Sequence, residues 1–106
     1  MKARFRKKSG LRHFQEMKNY RVYILENEAK RRYFGLSEDV HVRLKRHNAG
    51  DSKWTAKYRP WKMVWTSIRL SLSDARKLEN KMKRQKGGRG LQTLLKEYFD
   101  PNGLKS

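Results

Sequence analysis

The chain has 106 residues, 28 Lys and Arg against ten Asp and Glu, and a formal net charge of +18. That length allows one domain around one small core, and the charge is the footprint of a nucleic-acid binder. The absence of cysteine excludes a disulfide framework and a thiolate zinc site, and it suits a reducing compartment. No stretch reads as a transmembrane span or a signal peptide, so a cytoplasmic protein without membrane attachment is expected. Three Trp, five Tyr and four Phe argue for a folded domain over a basic tail. Attraction to anionic lipid would call for a basic helix with a strongly apolar opposite face, whereas the aromatic residues here lie in strand-like segments.

Residues 1–19 form a basic extension, with Lys7, Lys8 and Arg12 among its cations. It reads as a solvated arm or as one that tracks phosphates, and 11–18 is compatible with a short packed helix. Tyr20–Leu25 alternates, with Tyr20, Val22 and Ile24 on one face and Arg21, Tyr23 and Leu25 on the other. A polar turn, Glu26–Lys30, leads to a second strand, Arg31–Leu36, in which Gly35 permits close backbone approach. Ser37 is the expected N-cap of a helix with Glu38 and Asp39 in its first turn. That helix faces the core with Val40 and Leu44, carries Arg43 and His47 on one side, and stops at Asn48-Ala49-Gly50.

Asp51–Arg59 reads as a polar loop carrying Trp54, Thr55, Lys57 and Tyr58. Pro60 opens a third strand, Trp61–Ile68, in which Trp61, Met63 and Trp65 alternate with Lys62, Val64 and Thr66. Such a stripe is core first and a base-stacking platform second. Ser71 and Asp74 mark a capping-box start for a helix running to about Lys86, with Leu72, Ala75, Leu78 and Met82 buried and Glu79 bordering that stripe. Gly87–Gly90 is a flexible break, and a last apolar-striped helix covers about Leu91–Phe99 before Pro101-Asn102-Gly103.

Taken in order, these residues resemble the GIY-YIG nuclease superfamily, and within it the small single-domain bacterial branch. Arg21-Val22-Tyr23 stands at the first tripeptide and Tyr33-Phe34-Gly35 at the second. The run YFGLSEDVHVRLKRHNAG follows the branch pattern at Tyr33, Gly35, Asp39, Arg43, Leu44, His47, Asn48 and Gly50. Thr55, RPWKMVW and SDARKLENKMKR continue it, with Ala75 and Glu79 in the expected places. The resemblance covers about Tyr20–Lys86. The first tripeptide lacks its leading Gly and has Val for Ile; the second has Phe for Ile. The asparagine that some larger members carry after the metal helix has no obvious counterpart, and Lys83, Arg84 or Lys86 is available for its space.

The resemblance implies an α/β fold: a three-stranded, mainly antiparallel sheet flanked by helices. The chain then divides into the extension 1–19, a nuclease-like domain 20–86, and a Gly-rich break with a C-terminal helix over 87–106. It also implies a divalent-metal-dependent endonuclease acting on DNA, with Tyr23, Tyr33, Arg43, His47 and Glu79 as its site. Phosphodiester hydrolysis needs an activated water, neutralised phosphate charge and help for the departing oxygen. Glu79 as sole carboxylate suits one Mg²⁺ (or Mn²⁺), which keeps waters and takes substrate oxygens, and Arg43 suits a fork onto the phosphate.

Tyr23 is the family's candidate base. Its ordinary pKa lies near 10, so that role asks for neighbouring positive charge. His47 is the alternative base or phosphate ligand, and Tyr33 positions water or phosphate. Nucleic-acid contacts are expected from Lys7, Lys8, Arg12, Trp54, Thr55, Lys57, Tyr58, Lys83, Arg84 and Lys86, with single-stranded DNA favoured by the aromatic residues. Each site residue alone has a bland reading: strand aromatics, a solvated helix face, an ion-paired Glu. A monomer or weak homodimer is expected. The competing readings are a non-catalytic DNA- or RNA-binding module that retains the nuclease fold, and an RNA-binding or ribosome-associated basic protein.

Overall fold

The computed structural model describes residues 17–85 and 88–105. The expectations placed on the N-terminal arm, including Lys7, Lys8 and Arg12, and on Lys86 lie outside the described residues. Strand β1, Arg21–Glu26, is the centre of a three-stranded sheet in the order β2-β1-β3. It pairs antiparallel with β2, Arg32–Ser37, and with β3, Lys62–Thr66. Among the described residues there are four helices, α1 Val40–Ala49, α2 Lys53–Lys57, α3 Leu72–Gln85 and α4 Gly88–Tyr98, followed by a 3₁₀ turn at Pro101–Leu104. This is the α/β arrangement that the resemblance implied.

The alternation in β1 feeds two apolar clusters, one on each face, as a period of two requires. Val22 and Ile24 join Trp65, Ala75, Leu78, Met82, Leu91 and Leu94, so α3 and α4 cover that side. Tyr23 and Leu25 join Val40 and Trp61, with Tyr33 and Leu44 packed against them. Helix α1 thus meets the face that carries Tyr23, while Arg21–Leu25 is buried throughout.

The third strand departs from simple alternation. Ile24 pairs with Trp65 but Leu25 pairs with Met63, so Val64 is an extra residue in a β-bulge. One inserted residue reverses the facing of everything beyond it. Trp61 and Met63 therefore lie with the Tyr23 cluster, and Trp65 lies with the opposite one. The expected common stripe does not form. Both indoles are core: their N–H groups donate to Thr55 O at 2.7 Å and Leu95 O at 3.0 Å.

Four local expectations are corrected. Asp39, not Ser37, caps α1: its Oδ1 accepts from His41 N and Val42 N, while the Ser37 hydroxyl accepts from Asp39 N. The polar loop contains α2, whose burial of Thr55 gives the turn its anchor. Leu72 is 38% exposed and outside the buried stripe, because Ser71 Oγ caps the helix through Asp74 N and leaves Leu72 in its first turn. Gly88–Gly90 belongs to α4, held by the burial of Leu91 and Leu94.

The C-terminal segment returns to the sheet through Arg21. Its guanidinium donates to Ser67 O at 2.8 Å and to Asp100 Oδ2 at 2.9 Å. The Arg21 hydrogen bond, helped by the Asn102 amide, holds the Asp100 carboxyl below its ordinary 3.8. A carboxylate whose pKa is lower folded than unfolded stabilises above that ordinary value and loses its contribution as pH falls through the folded one. Urea midpoints measured between pH 5 and pH 2.5 are expected to drop more steeply for the wild type than for Asp100→Asn.

Candidate active site

Tyr23 reaches its partners because β1 places it under Gly35 of β2, its register partner. A Cβ at Gly35 would lie 2.6 Å from both Cζ and the hydroxyl of Tyr23, so no larger residue fits there without moving the ring. The Tyr23 hydroxyl lies 3.1 Å from His47 Nε2, and His47 Nδ1 lies 2.9 Å from Thr55 Oγ1. Thr55 donates its single hydroxyl proton to Ser52 O at 3.3 Å, so its oxygen must accept from Nδ1–H. That leaves Nε2 with a lone pair, and Tyr23 O–H donates to it. The chain from Tyr23 through His47 and Thr55 to Ser52 thus has one direction.

Electrostatics agree with that direction. Burial, followed by the Arg43 charge, pushes the His47 pKa below its ordinary 6.5, with Asp51 opposing. The imidazole is neutral at neutral pH. Burial also pushes the Tyr23 phenol well above its ordinary value, and Tyr33 adds to this. Arg43 pulls the other way and Glu79 pushes up. The positive surroundings that would favour a free phenolate are therefore outweighed by burial in the ligand-free site.

Three cavities meet at Arg43. One of about 370 Å³ is lined by Tyr23, Tyr33, Gly35, Arg43, Arg76, Glu79 and Asn80. A second, about 290 Å³, lies between Tyr33, Arg43, Arg46, His47, Asp51 and Ser52. The third, about 430 Å³, extends past Arg43 and Arg76 toward Tyr20 and Leu72. The structure thus brings Tyr23, Tyr33, Arg43, His47 and Glu79 to one place from β1, β2, α1 and α3. Arg43 Nε is buried without a hydrogen-bond partner among the described residues, an unfilled donor that an anion would satisfy.

Glu79 is the sole carboxylate lining the first cavity, and its side chain is 17% exposed beside Lys83 Nζ at 3.3 Å. Among the described residues no three His, Cys, Asp or Glu converge to cage a metal. A cation that retains waters and takes substrate oxygens, as Mg²⁺ does, fits such a donor set. Lys83 is 53% exposed and able to swing away.

Other expected contacts divide. Thr55 is fully buried, and its hydroxyl is engaged with His47 and Ser52 O. Trp54 is 44% exposed, 6.2 Å from the Tyr33 ring and stacked at 5.8 Å on Trp61. Tyr58 is half-buried between Trp54 and the Arg31 guanidinium. Lys57 and Arg84 are exposed and line none of the three cavities. Lys83 is exposed and paired with Glu79. His41 is half-buried.

Arg76 and Asn80 were not singled out by sequence, although they stand three residues before and one after Glu79; helical period alone puts Arg76 and Asn80 on one side, four apart. The model of the GIY-YIG catalytic domain matches residues 19–92. The chain belongs to the GIY-YIG family. A UPF0213 protein of Syntrophus aciditrophicus (strain SB) is 38% identical over 79 residues, covering 73% of this chain and 90% of that protein. No solved structure matches significantly. The GIY-YIG domain is a nuclease-type domain, so these residues sit in a nuclease-type framework.

Replacing Thr55 with Val removes the acceptor for Nδ1–H while keeping shape, and is expected to cost about 1–3 kcal/mol. Nitrogen NMR of His47 should show a single Nδ1–H tautomer in the wild type and in Thr55→Ser, and a mixture in Thr55→Val. Gly35→Ala is expected to lower stability by roughly 1–3 kcal/mol through displacement of Tyr23, read from urea unfolding.

Proposed function

We propose that the protein is a divalent-metal-dependent endonuclease that hydrolyses DNA phosphodiester bonds at the meeting point of Tyr23, Tyr33, Arg43, His47 and Glu79. The observation that carries the reading is the directed hydrogen bond from Tyr23 to a neutral His47 beside an unpaired arginine and a lone carboxylate. Arg43 forks onto the scissile phosphate through donors that include its unpartnered Nε. Glu79 would hold one Mg²⁺ or Mn²⁺ in place of Lys83, and the ion would supply charge neutralisation for the phosphate and the departing oxygen.

Tyr23 contacts the attacking water, and His47 receives the phenol proton as the water proton moves onto the Tyr23 oxygen. This transfer avoids a free phenolate, whose formation burial opposes. Tyr23 has 0% exposure, so substrate binding must uncover its oxygen. Tyr33 orients the water or a phosphate oxygen, and Trp54 beside it offers a ring on which an unpaired base stacks. That ring favours single-stranded DNA. Among the described residues no helix is long and apolar enough to cross a membrane; the reading places the protein in the cytoplasm, as a monomer or weak homodimer.

The Glu79–Lys83 ion pair favours a second reading, a DNA- or RNA-binding module without catalysis. Cleavage of labelled single-stranded DNA, duplex DNA and RNA with Mg²⁺, Mn²⁺ or EDTA separates the two. Metal-dependent cutting is expected, strongest on single-stranded DNA, and reduced at least about 100-fold in Glu79→Ala with binding retained. Binding of all substrates without cutting would leave the module. The pH profile of cleavage is expected to fall on the acid side below pH 6.5, since protonated His47 accepts nothing from Tyr23.

A further inference from the structure

The cavity beyond Arg43, between α1 and the start of α3, has no part in the chemistry above. It is continuous with the active site, because Arg43 and Arg76 line both cavities. Its walls combine two kinds of surface. Val42 is 43% and Leu72 38% exposed, and with Tyr20 they make an apolar side. Arg43, Arg46 and Arg76 make the other, and none of the three has a carboxylate within 4.0 Å among the described residues. Glu38 and Asp39 lie at the same rim but do not neutralise them; Asp39 Oδ1 is engaged in capping α1.

Exposed aliphatic side chains beside guanidiniums that have no carboxylate partner suit a ligand that is weakly polar on one side and anionic on the other. A nucleotide has that chemistry: a flat, weakly polar base on one side and a phosphate on the other. We infer that this trough is a nucleotide subsite, holding the base of a nucleotide that flanks the scissile phosphate against Val42, Leu72 and Tyr20. Arg76 binds the phosphate that joins this nucleotide to the next, while Arg43 remains on the scissile one. A base in the trough is unstacked from its neighbours, so the subsite selects single-stranded or locally opened DNA by a route independent of Trp54. It rests on the nuclease reading for the direction of the strand but not for the binding itself.

Two measurements test it. In the first, short single strands carrying one abasic nucleotide at successive positions around the cut are cleaved by the wild type and by Val42→Ser/Leu72→Ser, both exposed positions outside the machinery described above. One position is expected to raise KM about tenfold in the wild type and to have no further effect in the double variant. Additive effects at every position would overturn the subsite while leaving the nuclease intact. Arg76→Ala should raise KM with little change in kcat, and an equal kcat loss would put Arg76 on the scissile phosphate instead.

In the second, the dinucleotide d(TpT) is titrated in EDTA into the wild type, and backbone amide shifts are mapped by NMR. Shifts at Val42, Leu72 and Arg76 that disappear in the double variant support the subsite even if no substrate is cut. Shifts absent from these three residues would overturn it.

Discussion

A polar chain buried at the heart of a very small domain is the constraint on which the structure depends. Tyr23, His47 and Thr55 place three hydrogen-bonding groups where water does not reach, and each would be costly there without its partner. Satisfying them fixes the distance between β1 and α1, and it draws the short helix α2 inward so that Thr55 meets the imidazole. Trp61 then closes the arrangement from below by donating to the Thr55 carbonyl. The same bonds that hold the layers together also set which nitrogen of His47 is free, so packing and proton position are one arrangement.

This accounts for the distribution of charge around the site. Among the described residues the cations within 4.0 Å of a carboxylate are Arg21, Lys30, Arg32 and Lys83, and Arg43 stands at the junction of three cavities with an Nε that has no partner there. Cations kept apart from counterions hold a positive potential into which a phosphate chain is drawn. Glu79 is the exception in that field. Its carboxylate is paired with the exposed Lys83 at 3.3 Å.

Much of this was legible in the sequence. Tyr23 and Tyr33 fell on the correct strands because alternation is a strong signal, and Arg43 with His47 fell on one helix side because a spacing of four guarantees it. The resemblance supplied Glu79, whose own context reads as an ordinary ion pair, and the ion pair is indeed present. Other features were hidden for physical reasons. A bulge leaves no mark in composition, so the two tryptophans appeared to share a face that they do not share. Thr55 looked like a loop hydroxyl because its partner is eight residues away, through space. The cap moved from Ser37 to Asp39 because either side chain suits the position, and only the backbone decides between them.

The extra residue in β3 has a further consequence, for solubility. β3 is an edge strand, and a straight edge is an invitation for another chain to add itself. Here the bulge at Val64 bends the strand, and the far end is closed by the main chain of Asp100, whose N–H donates to Thr66 O at 3.0 Å. The sheet is thus finished on that side by its own irregularity and its own C-terminal segment.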